Sequence, residues 1–176
     1  MRKQEYAGFW VLVAAFALDY VFIAAYLLLL VGLGWGANRL WPTLRKSLFA
    51  SPLSGHIVSF VLVTLPVALY FALSEASAQQ ATWGKRKLGL QVIGPDGTRI
   101  SLGRSLGRTA LKFIPWELAH TLIWQVRFAT PGEGVWISAG FVLVWVLVGA
   151  NLVSLWWRSN HQTLYDWLAG TYVIRR

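Results

Sequence analysis

The chain contains no cysteine, which excludes disulfides, thiolate metal sites and thiol catalysis. It is also poor in charge. Aspartate and glutamate together number 7, and charged residues make up 13% of the sequence, against about 25% in soluble domains. Metal-binding motifs of the H-E-x-x-H type are missing. So are internal repeats and low-complexity segments. What is abundant is apolar and aromatic: 56% hydrophobic residues, 15% aromatic and 11 tryptophans, with a net charge of +9. In a soluble protein that basic balance points to nucleic acid. Here the charges lie at the ends of apolar runs, so anionic lipid headgroups are the expected partner and nucleic acid is not.

The longest apolar run is Phe9 to Leu33, in which Asp19 is the one residue able to carry a charge. A run of about 18 or more apolar residues crosses a bilayer as a helix. A carboxylate near its middle costs roughly 2.5 kcal/mol or more on insertion scales, so Asp19 must face protein or water. Helical spacing puts Leu12, Ala15, Phe22 and Tyr26 on its side. Arg2 and Lys3 fit the start of a secretion signal, but the run is too long for a signal core and no A-x-A site follows. It is read as a retained span.

Residues 34–55 read as a loop rich in glycine, proline and serine, with Trp35 and Trp41 suited to the membrane interface. Ile57 to Leu73 is a second span, kinked by Pro66, with Thr64 and neighbouring helices to satisfy the freed carbonyl. The segment 75–108 is basic. Lys87 to Ile93, the turn Gly94-Pro95-Asp96-Gly97 and a return strand at Arg99 to Ser101 predict a β-hairpin outside the hydrocarbon. Ser101 can cap a helix that carries Arg104 and Arg108 on one face. Thr109 to Phe128 is ambiguous, either a broken span or an interfacial helix, because it holds Lys112, Pro115, Glu117, His120 and Arg127. Val135 to Trp157 is a clear span, and the tail 158–176 ends in a strand-like stretch.

Charge asymmetry favours four spans. With the N-terminus inside, eleven lysines and arginines fall on the inner side and four (Arg39, Arg45, Lys46 and Arg127) on the outer. The expected fold is therefore an all-α membrane protein. It is a bundle of about four transmembrane helices with a small cytoplasmic hairpin that can pair with the C-terminal strand.

Three stretches, AGFW with AAFALDY, ATWGKRKLGLQVIGPDGTRISLGRSLGRTALKFIPWELAH and HQTLYDWLAGTYVI, occur in this order over nearly the whole chain. They resemble the RDD family of membrane proteins, named for one arginine and two aspartates. Asp19 and Asp166 take the places of the aspartates. Leu12 stands where the arginine is expected, and Tyr165 where a histidine commonly precedes the second aspartate. The resemblance implies a bacterial inner membrane, and for some members a link to sodium–proton exchange.

Several constellations stand out. Asp19 either binds and releases a proton or a cation, or is a packing group hydrogen-bonded to Asn151, Lys112 or His120. Glu117 and His120 form one E-x-x-H spacing, which is too few ligands for a metal. They serve as a proton relay toward Asp19 or as an internal polar pair. Lys85, Arg86, Lys87, Arg104 and Arg108 form a basic cluster at the inner face, suited to anionic lipid or a charged partner. His161 and Asp166 lack a nucleophile, and Asp166 is expected to tie the tail to a basic residue of the hairpin. No enzyme activity, cofactor or metal is expected. Two functions follow: a cation or proton transporter, or a component of one, built as an oligomer around Asp19; or a non-catalytic adaptor that binds lipid or a membrane-protein partner.

Overall fold

The structure is a computed structural model and describes residues 5–176; Arg2 and Lys3 lie outside the described residues. Helix α1 runs Phe9–Leu40, well past the expected end at Leu33. Nothing between Leu33 and Leu40 breaks a helix except glycines, and no Cβ-blocking contact surrounds them. A second short helix, α2 (Pro42–Leu48), follows with proline at its first position, where the missing N–H costs nothing. Much of the expected loop 34–55 is therefore helical.

Helix α3 (Pro52–Ser59) opens on a capping box in which Ser51 and Ser54 bond each other's backbone. A π-helical turn at Phe60–Thr64 joins it to α4 (Leu65–Ala76). The turn absorbs Pro66. Proline has no N–H to offer Leu62 four residues back, and the Leu62 carbonyl instead accepts the Tyr26 hydroxyl of α1 at 2.7 Å. After the short helix α5 (Trp83–Lys87) comes strand β1 (Leu90–Ile93). Helix α6 (Leu102–Phe128) begins on a Ser101 cap and runs unbroken through Pro115. Helix α7 (Gly134–Trp157), the one-and-a-half-turn α8 (Leu164–Ala169) and strand β2 (Tyr172–Arg175) complete the chain.

The long helices are antiparallel neighbours. Tyr70 meets Asp19 while Leu62 meets Tyr26; Ser105 donates to the Ala72 carbonyl while Trp124 donates to Ser59. Helix α6 packs against α3, α4, α7 and α8. Among the described residues, three segments are long and apolar enough to cross a membrane: α1, the continuous rod Pro52–Ala76, and α7. Helix α6 matches them in length but carries five titratable residues from Arg108 to Arg127.

At one end of the bundle, β1 pairs antiparallel with β2, Leu90 opposite Arg175 and Ile93 opposite Tyr172. The anticipated return strand at Arg99 to Ser101 is reduced to a single bridge between Ile93 and Arg99. Ser101 is committed to capping α6, and β1 takes the tail as its partner. Ala7 donates to the Val173 carbonyl on the far side of β2. Ala7, Ala15, Leu90, Val92, Ile100 and Val173 then form a small apolar core at the foot of α1.

Candidate functional site

Asp19 is buried, at 1% exposure, one turn above that core. Its Oδ1 accepts from the Tyr70 hydroxyl and from the Gly84 amide, both at 2.8 Å, and its Oδ2 accepts from the Thr82 hydroxyl at 2.6 Å. All three partners come from α4 and from the start of α5, so one carboxylate clasps three segments together. The approach is close because residue 84 is glycine. A Cβ there would lie 2.2 Å from the Ala15 carbonyl oxygen. The partners expected for Asp19 are not its partners. Asn151 donates to the Leu147 carbonyl of its own helix, and Lys112 stacks on Phe71. His120 lies with Glu117, His56 and Thr64 in a separate cluster beside the π-turn, so no relay from His120 to Asp19 is formed.

Beside the Asp19 clasp lies a second buried network. Glu75 Oε1 accepts from Lys85 Nζ at 2.6 Å, and its Oε2 accepts from Arg108 Nη1 at 2.5 Å. Arg108 Nε donates to Asp166 Oδ1 at 2.7 Å. Asp166 is held further by the hydroxyls of Thr163 and Thr171. Two carboxylates thus flank one guanidinium, whose planar fork suits both, and the tail is tied to α6 through Arg108. The Tyr165 ring lies under Arg108, 5.1 Å from its guanidinium carbon. Burial, with Asp166 next to it, pushes the Tyr165 phenol up to about 12.

The basic cluster read from the sequence therefore divides. Lys85 and Arg108 are interior ion-pair members, while Arg86, Lys87 and Arg104 are exposed. Lys85 of the short helix α5 and Arg108 of α6 both turn inward to Glu75, a residue that alone gives no sign of burial. A sequence signal existed: with 7 acids among 16 lysines and arginines, an acid at the end of an apolar run has basic partners in surplus. His161 does not join Asp166; its Nδ1 sits 3.1 Å from the Leu155 carbonyl.

Both networks border one cavity of about 530 Å³ between α1, α3–α4, α6 and α7. Its polar end holds Asp19, Lys85, Arg108, Lys112 and Asp166, and its remaining wall is largely aliphatic and aromatic. Among the described residues no group of three or more metal-binding side chains forms.

The family model of the RDD family matches residues 6–170. The chain belongs to the RDD family. It is a membrane protein with apolar helices, and Asp19 and Asp166, the two acids of the family pattern, hold the two networks just described. Leu12, at the expected arginine position, lines the cavity. The chain is similar to the uncharacterized protein YckC of Bacillus subtilis (strain 168), 27% identical over 98% of this chain and 87% of that one. It is also similar to the uncharacterized protein YxaI of the same organism, 28% identical over 60% of this chain and 74% of that one. No solved structure matches.

Proposed function

We propose that this RDD family protein is a cation- or proton-coupled transporter, or the membrane component of one, whose solute path is the cavity between α1, α3–α4, α6 and α7. In this reading α6 is the fourth span, and the ends bearing β1, β2 and α8 face the cytoplasm of a bacterial inner membrane. One observation carries the proposal: four ionisable groups of the interior border open space, not close-packed core. Asp19, Lys112, Arg108 and Asp166 all line the same cavity, although buried charge within a membrane is costly and is retained mainly where it serves a pathway or a pair. Asp19 is the ion-handling candidate, because its charge is met by neutral donors and not by a fixed counter-ion. The bundle is small, and the proposal includes assembly into an oligomer.

The test is reconstitution into anionic-lipid vesicles with an imposed sodium or pH gradient, reading internal pH. Wild type is expected to dissipate the gradient and Asp19→Asn to do so much more slowly at equal folded protein. Equal flux in the two overturns the role of Asp19.

A second reading has its own observation. Arg86, Lys87 and Arg104 stay exposed at the end of the bundle, where about 1 kcal/mol per basic residue is available from an anionic surface. A non-catalytic adaptor that binds lipid or a membrane-protein partner through that face predicts that neutralising the three weakens vesicle or partner association. Unchanged association removes it.

A further inference from the structure

The cavity has a polar end, an apolar body and a side opening, and one cation in it lacks a counter-ion. Lys112 Nζ lies 3.3 Å from the centroid of the Phe71 ring and 5.9 Å from that of Phe16. Among the described residues it forms no ion pair or hydrogen bond, whereas Lys85 and Arg108 are neutralised by Glu75 and Asp166. A ring face supports an ammonium group but does not neutralise it. On α7, Asn151 Oδ1 is buried in the cavity wall without a partner. The polar end thus holds one cation outside any ion pair, Lys112, and one acid met only by neutral donors, Asp19, with one unused acceptor elsewhere on the wall.

The body of the cavity is apolar and long. Its lining runs from Leu12 to Leu27 on α1 and from Arg108 to Ala119 on α6, about 22 and 16 Å at the helical rise. That length matches or exceeds the ~15 Å acyl layer of one leaflet. The lining residues that are also exposed mark its mouth. Val13, Phe16 and Tyr20 of α1, Trp116 of α6 and Leu152 of α7 are 36–52% exposed. Four of the five belong to α1 and α7, two of the helices apolar enough to cross a membrane, whose outer faces meet lipid, so the mouth opens sideways into hydrocarbon.

We propose that the cavity binds an anionic amphiphile that enters from the membrane: one acyl chain along the apolar wall and a carboxylate or phosphate headgroup on Lys112. This names the solute class of the site proposed above and rests on that reading for its transport role, but not for binding. A zwitterionic lipid brings its own cation and gains little from Lys112, whereas a free fatty acid and an acidic phospholipid share the chemistry required.

The experiment measures binding alone. The full-length protein in neutral detergent is titrated with a fluorescent fatty acid, and separately with phosphatidylglycerol or phosphatidylcholine, with occupancy read by native mass spectrometry. Saturable binding of the fatty acid, of phosphatidylglycerol or of both, in preference to phosphatidylcholine, is expected, and which of the two binds identifies the source of the headgroup. Lys112→Met is expected to weaken it about tenfold or more, the scale of one charge-assisted contact. Neutralising Arg86 and Lys87, outside the cavity, is expected to leave it unchanged. Val148→Trp, which fills the apolar body, is expected to abolish it while leaving Lys112 in place, so a folding defect in one variant does not decide the matter.

Binding that is absent in wild type, indifferent to both Lys112→Met and Val148→Trp, or lost on neutralising Arg86 and Lys87 overturns the inference. So does cross-linking of two copies through a Phe16→Cys variant under conditions where no amphiphile binds, since a second copy then covers the mouth. Ion flux without amphiphile binding would sink this inference and spare the transport reading; binding without flux would do the reverse.

Discussion

Nε of Arg108 donates to Oδ1 of Asp166 at 2.7 Å across 58 positions of sequence, with both side chains buried. Because the same guanidinium also holds Glu75 at 2.5 Å, its removal leaves two carboxylates without their cation. Arg108→Met is therefore expected to cost about 3–5 kcal/mol, the range for breaking a buried pair from one side. Arg108→Lys is expected to rescue only part of this, since a single ammonium cannot reach both acids in the geometry of a fork. Thermal unfolding in detergent, with the tail's release followed by limited proteolysis near Tyr172, checks both. Wild-type stability in Arg108→Met would show that the network is not a structural tie.

Gly84 and Gly103 separate a required glycine from an incidental one. At Gly84 a Cβ would meet the Ala15 carbonyl oxygen at 2.2 Å, and that oxygen is backbone, so α5 must move off α1 and draw its amide away from Asp19. Gly84→Ala is expected to destabilise by roughly 1–3 kcal/mol and to expose the Asp19 carboxylate to water. Gly103, in the first turn of α6, has nothing within 4 Å of its Cβ position. Gly103→Ala is expected to stabilise slightly, by up to ~1 kcal/mol, through the lower backbone entropy of the unfolded chain. Unfolding midpoints of the two variants, measured side by side, give opposite signs if this account holds.

These relationships explain what the sequence revealed and what it concealed. Hydropathy and length placed the apolar cores of α1, α3–α4 and α7, because those signals are local. The burial of Asp19 was legible for the same reason: an acid inside an apolar run has nowhere polar to go. Its partners were not legible. Tyr70, Thr82 and Gly84 lie 51 to 65 positions away, and the two hydroxyl residues and the glycine carry no periodicity that singles them out. Lys85 was read with Arg86 and Lys87 as one basic surface because three consecutive cations look alike. The short helix α5 turns one inward to Glu75 and leaves the other two in solvent. The return strand failed for a competing reason, since Ser101 gains more as the cap of a 27-residue helix than as the end of a hairpin.

Tyr165 gives the fold an alkaline limit. Its phenol is held up to about 12, first by burial and then by Asp166, against about 10 for a free tyrosine. The sign follows from linkage: the folded state binds this proton more tightly, so the stabilisation is complete below about pH 10 and is lost as pH rises toward 12. Unfolding midpoints measured across that window are expected to fall more steeply in wild type than in Tyr165→Phe, which has no proton to lose. Parallel curves for the two would mean that another group sets the alkaline limit.

The π-turn at Phe60–Thr64 makes a prediction that only a coupled pair of changes can test. Pro66 lacks the N–H that would serve the Leu62 carbonyl, and Tyr26 reaches across from α1 to donate to that oxygen at 2.7 Å. Within hydrocarbon an unserved carbonyl is costly, so Tyr26→Phe is expected to destabilise the α1–α4 contact by about 1–3 kcal/mol. Pro66→Ala restores an N–H on the same strand of helix and allows the turn to tighten to an ordinary α-helix. In that background the Tyr26 hydroxyl is redundant, and Tyr26→Phe is expected to cost markedly less. A double-mutant cycle on unfolding free energies reads the difference directly. Additive effects would show that Tyr26 does not compensate for the proline. A positive coupling would establish that the hydroxyl of α1 and the imino ring of α4 form one device, with the helix pair held at the wall of the cavity by a bond that replaces the one proline removes.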